Sequence, residues 1–276
     1  MKCNRCAYEN ADNALACGLC GEVLRAPAAP VPEYAEPPKK PSLFERPYLC
    51  LAIGLLAFPL AKLLWLPNYM FNFLTTLVHE CGHAACAWLM GMPSIPSVSM
   101  AGGGVTMWQE QSKGLAVAVW IGIGALACAA RRVKVPFVAL CVVALVYPFV
   151  AFTKGKDVFA IFGGVLFEVG GAAACFTVCL GAKLERPFER PLYAVWGWWM
   201  LLNRMTEACL MLSDSAYRLE RRVIQSGLAE GLTDDLAMVD LLLNVPAHRV
   251  LWFVLAIGAL SLPISIGIAR WMRRAE

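Results

Sequence analysis

Seven apolar runs dominate this chain of 276 residues: Tyr48–Leu66, Tyr69–Leu89, Leu115–Ala130, Val135–Phe152, Val158–Ala182, Leu192–Leu212 and Val250–Ala269. Crossing the hydrocarbon core of a bilayer takes about 20 helical residues. Each run is therefore read as a membrane span, the third being short enough to be tilted or partly buried. Charged residues make up only 16% of the chain and hydrophobic ones 59%, too little charge to cover a water-facing globule, which carries about 25%. The expected fold is an all-α membrane protein of about seven transmembrane helices (residues 48–276), multi-pass in a cell membrane, bacterial by expectation. A formal net charge of +4, with no basic cluster interleaved with aromatics, gives a nucleic-acid partner no electrostatic support.

The first 24 residues are different. Cys3-x2-Cys6, ten residues, then Cys17-x2-Cys20 can set four thiolates around one Zn²⁺, with Gly18 and Gly21 permitting tight turns. A segment this short cannot build a core, so metal binding would supply its folding energy. Four closed ligands leave no place for a reacting water, which makes this a structural zinc ribbon. Reduced thiols place it in the cytosol. Residues 25–47, rich in Pro and Ala, read as a semi-rigid linker. Between the second and third runs, Val98, Met100, Val105 and Met107 alternate about Ala101-Gly-Gly-Gly104. That pattern predicts a short β-hairpin, re-entrant or on the surface.

One motif carries chemistry. His79-Glu80-Cys81-Gly82-His83 lies inside the second run and uses two of only three histidines. Residues four apart share a helix face, so both imidazoles can bind one metal, with Glu80 beside them as general base. Zn²⁺ so held would make a water nucleophilic near neutral pH. Ionisable groups are costly in lipid and are functional there by default. Other buried polar groups have blander readings. Asn203, Glu207 and Asp214 form a polar stripe on the sixth run. Glu168 sits among Gly163, Gly164, Gly170 and Gly171, a close-packing signal, and Trp196–Trp199 reads as an interfacial belt.

Leu77–Met90, with His-Glu-Cys-Gly-His-Ala inside a membrane helix, resembles the site-2 protease family of intramembrane zinc metallopeptidases. The glycine-bearing segment Pro96–Trp108 resembles the edge-strand element that those enzymes set beside the active site. The resemblance implies Glu80 as catalytic residue, His79 and His83 as zinc ligands, and Gly102, Gly103 and Gly104 as substrate-binding. A third ligand is usually an Asp from an Asp-Gly pair on a later helix, and this chain has no such pair there. Asp235, in Thr233-Asp-Asp-Leu236, is the favoured substitute, with Asp234 and Asp214 as alternatives. The function expected is a membrane zinc endopeptidase, with one catalytic and one structural Zn²⁺, acting on membrane-embedded or membrane-adjacent protein segments. The alternative is a non-proteolytic membrane scaffold whose ribbon docks a cytosolic partner.

Overall fold

The computed structural model describes residues 1–11, 14–24, 43–100, 103–181, 188–217 and 242–275. The chain divides into two compact units, Met1–Lys40 and Pro41–Glu276.

In the first unit two knuckles repeat one backbone pattern. Lys2 bridges to Glu9 and Ala16 to Val23. Inside each loop the N–H groups of Cys3 and Cys17 bond the carbonyls of Tyr8 and Glu22, while Ala7 and Gly21 donate back to Cys3 and Cys17. That return needs a left-handed residue. Gly21 takes it at φ 72°, and Ala7 takes the equivalent place at φ 55°, where its Cβ is sterically disfavoured.

In the second unit, seven helices of 17 residues or more are described: α1 (Pro47–Leu63), α2 (Trp65–Leu89), α3 (Lys113–Ala129), α4 (Lys134–Ala151), α5 (Gly155–Gly181), α6 (Glu189–Ser213) and α7 (Ala247–Ala275). Each falls on one of the seven apolar runs. Four of them, α3 (with the turn that extends it to Arg132), α4, α5 and α7, are long and apolar enough to cross a membrane. A fifth crossing arises if α1 and α2, bent by 109° at Leu64, count as one broken span. Pro67 lies in the first turn of α2, where a missing N–H costs nothing, so the helix restarts there readily. α6 falls short because Asn203, Arg204 and Glu207 interrupt its apolar character.

α5 is the central element and packs against α2, α6 and α7. Phe176, Cys179 and Leu180 of α5, with Cys50, Met200 and Leu201, form one buried cluster, and Ile161, Phe162 and Val165 join α7 in another. The aromatic run of α6 differs from the expected interfacial belt. Trp199 is fully buried against Phe58 and Phe71, and the Trp198 indole N–H donates to Leu51 O inside the fold. Buried helix–helix contact takes up these rings before the interface can.

Strands β1 (Ser94–Val98) and β2 (Gly104–Trp108) form the antiparallel hairpin read from the alternating pattern, with Pro96 opposite Thr106 and Val98 opposite Gly104. Hydrogen bonds fasten the hairpin to α2, among them Trp88 Nε1 to Ser94 O, Ser94 Oγ to Ala84 O and Tyr69 OH to Met100 O. Its apolar side chains Ile95, Met100 and Met107 stay open rather than joining the core, while Ser94, Gly104 and Thr106 meet α2.

Candidate active site

His79 and His83 lie one turn apart on the face of α2 that meets α5. Glycine lets the two helices come this close. A methyl at Gly82 would run into Gly163 O, and one at Gly164 would stand 2.6 Å from His83 Nε2 and 2.7 Å from His79 Nδ1. The rings meet edge to face, with centroids 4.6 Å apart. Their Nε2 atoms are 3.1 Å apart.

The surroundings assign the tautomers. His83 Nδ1 is 2.9 Å from Ala160 O, which can only accept. His79 Nδ1 is 2.8 Å from Glu168 Oε1, a carboxylate that also only accepts, and 3.3 Å from Arg204 Nη2, which only donates; the shorter contact makes Nδ1 the donor. Both Nδ1 atoms therefore carry the proton, and both Nε2 lone pairs point toward one another. Two such lone pairs at this distance repel unless a cation lies between them. Neutral imidazole is a good ligand for Zn²⁺, so the pair fits a divalent metal.

Glu80 faces the hairpin. Its side chain is buried, and the Thr106 hydroxyl donates to Glu80 Oε2 at 2.7 Å while lying 3.0 Å from the Glu80 carbonyl. Gly104 lies flat against the carboxylate, where a Cβ would stand 2.5 Å from Oε1. Only glycine allows the strand to pass so near. A cavity of about 390 Å³ opens alongside, bounded by Asn72, Thr76 and His79 of α2, Gly104 of the hairpin, Glu168 of α5 and Arg204 of α6.

Arg204 is the residue that sequence reasoning missed, although a cation inside an apolar helix is itself a signal. Its guanidinium donates Nε to Glu168 Oε2 (2.8 Å), Nη2 to Glu168 Oε1 (2.7 Å) and Nη1 to Glu207 Oε2 (2.7 Å). Thr106 was missed too, since nothing in the pattern singles out one polar residue in a short strand.

The Peptidase M50B-like family model matches residues 48–265, from the start of α1 into α7 and well over half of the chain. The chain belongs to the Peptidase M50B-like family. No curated protein and no solved structure matches it. Membership makes this protein a membrane-integral metallopeptidase of the site-2 protease family, whose members depend on zinc.

In this M50B-like protein, then, the structure brings His79, His83 and Glu80 to the α2–α5–hairpin junction, with Gly104 against Glu80 and Gly103 on the cavity wall. Gly102, Asp234 and Asp235 lie outside the described residues. Asp214 is exposed at the end of α6 and caps the next turn, its Oδ1 accepting from the N–H groups of Ala216 (2.8 Å) and Tyr217 (3.2 Å). Asn203 and Glu207 of the same polar stripe do line the cavity.

Among the described residues, the one grouping of three or more metal-ligating side chains is in the first unit, where the four cysteine sulfurs lie within 4.8 Å of one another. Cys3 and Cys20 sulfurs are 3.6 Å apart and those of Cys6 and Cys17 3.5 Å. The Cys17 thiol is held down to about 6: burial raises it, but hydrogen bonds from the Cys20 and Leu19 backbones and the Asn10 side chain outweigh that. Cys6 is pushed up to about 12. The Tyr8 backbone favours its thiolate, but burial and the thiols of Cys20, Cys17 and Cys3 win. The cluster accommodates some negative charge but resists four thiolates at once, and a bound cation removes that conflict. This four-cysteine cluster could bind a structural zinc.

Proposed function

We propose that the protein is a zinc-dependent endopeptidase that cleaves membrane-embedded or membrane-adjacent protein segments at the α2–α5–hairpin junction. The observation that carries the reading is the pair of imidazole Nε2 atoms 3.1 Å apart on one face of α2, with an oxygen acceptor beside the Nδ1 of each ring. His79 and His83 would hold the metal, with Asp235 as the third ligand. When bound, zinc polarises the scissile carbonyl and activates water. Glu80 takes the proton from the attacking water and hands it to the leaving amine. Thr106 donates to Oε2 of that carboxylate, which orients the group. Gly102, Gly103 and Gly104, which carry no side chains, would bind an extended substrate whose backbone adds to the hairpin by strand pairing. The four cysteines hold a second, structural zinc on the cytosolic side.

The test compares the purified chain with Glu80→Gln, in liposomes, on a panel of single-span membrane segments. Cleavage by the parent protein should fall at least ~10³-fold in the variant, within the range for losing a general base, while zinc content stays the same. Equal cleavage by the two proteins would refute the reading.

A further inference from the structure

The proposed metal-binding imidazoles are both held by one helix, through residues spaced four apart along α5. The Ala160 carbonyl lies 2.9 Å from His83 Nδ1, Gly164 leaves the room both rings occupy, and Glu168 Oε1 lies 2.8 Å from His79 Nδ1. Residues i, i+4 and i+8 share a helix face, so this stripe runs antiparallel to His83 and His79 and matches them in order. The Glu168 end is the elaborate one. Its side chain is 5% exposed, and Oε1 accepts from both His79 Nδ1 and Arg204 Nη2 while Oε2 accepts from Arg204 Nε. Arg204 is in turn tied to Glu207.

A buried ion pair is a weak stabiliser compared with apolar packing of the same volume. This one places Glu168 almost wholly inside the protein, which argues for a role other than stability. We infer that Glu168, clamped by Arg204, is a positioning residue for His79: it fixes the Nδ1–H tautomer and the ring plane, so that the Nε2 lone pair is presented to the metal. The inference rests on the zinc reading of His79 and His83. A carboxylate behind a ligating histidine raises the basicity of the ring and removes its freedom to rotate, and losing one costs about 10–100-fold in metal affinity.

The experiment is zinc competition against a chelator on the full chain, in which the ribbon serves as an internal reference. Unfolding midpoints of the metal-free proteins are measured beside it. Glu168→Gln should weaken zinc at the membrane site by about 10–100-fold, leave the ribbon's affinity unchanged and keep the metal-free midpoint. Unchanged membrane-site affinity overturns the inference, as does a loss that appears only together with a lower metal-free midpoint. A parent chain that binds zinc at the ribbon alone overturns the reading of the two histidines, and this inference with it. Where Glu168→Gln does not fold, Glu168→Asp, which keeps the charge facing Arg204 but shortens the reach to His79 Nδ1, is judged by the same outcomes.

Discussion

The two candidate metal sites of this protein are built on opposite plans. The ribbon's donors come from 18 consecutive residues, Cys3 to Cys20, and are held by hydrogen bonds that span few positions. The membrane site draws on α2, the hairpin, α5 and α6, with partners 77 residues apart (His83 and Ala160) and 125 apart (Arg204 and His79). A local site stands or falls with its ligands. A site assembled from distant elements depends as much on residues that never touch a metal.

That contrast can be broken first at the ribbon. Cys17→Ser should abolish zinc binding there and unfold the first unit, because metal binding supplies on the order of 10 kcal/mol to such a fold. Zinc analysis should show the loss of one ion while peptidase activity per remaining ion persists. Dependence of the membrane site on the ribbon would contradict the separation. The next largest effect is expected from Gly164→Ala, a change of one methyl that touches no ligand chemically. Overpacking a tight crossing costs about 1–3 kcal/mol, and here the added carbon meets both imidazoles. Lower stability together with weaker zinc binding at the membrane site is the outcome to look for, in thermal unfolding and metal titration. An unchanged protein would mean that the α2–α5 spacing is not what positions the rings.

How far the letters revealed this arrangement follows the same division. Cys-x2-Cys repeated at close range could be read as a ribbon because chain spacing alone brings the sulfurs together. The gathering of His79, Glu80 and His83 on one turn was legible for a similar reason, since a helix sets their separation. The seven helices followed from apolar length, and the hairpin from alternation about glycines. Arg204 and Thr106 were not legible as site residues, since their partners lie 36 and 26 positions away (Glu168 and Glu80) and only tertiary packing joins them. The glycines at 163 and 164 announced a close crossing but not which helix would be crossed. Trp199 was misplaced at the interface because a buried aromatic and a belt aromatic look alike in sequence.

Smaller effects sharpen the picture. Thr106→Val keeps the shape of the strand but removes the hydroxyl that orients Glu80. Hydrogen bonds to charged groups contribute about 1.5–3 kcal/mol, so kcat should fall at least ~10-fold with zinc content unchanged, and a normal kcat would place the Glu80 carboxylate under other control. Smallest of all is Ala7→Gly, which relieves the left-handed strain at φ 55° and should stabilise the zinc-bound ribbon by about 0.5–1 kcal/mol, read from chelator resistance. A destabilised ribbon would show that the first knuckle does not need the conformation that Gly21 supplies in the second.

The most direct measurement is the number of zinc ions bound per detergent-solubilised chain, for the parent protein, for Cys17→Ser and for His79→Ala with His83→Ala. Two ions in the parent and one in each variant is the result this account requires. A single ion that survives loss of both histidines and vanishes with Cys17 would leave a membrane protein carrying only a ribbon, and the peptidase reading of α2 would fail.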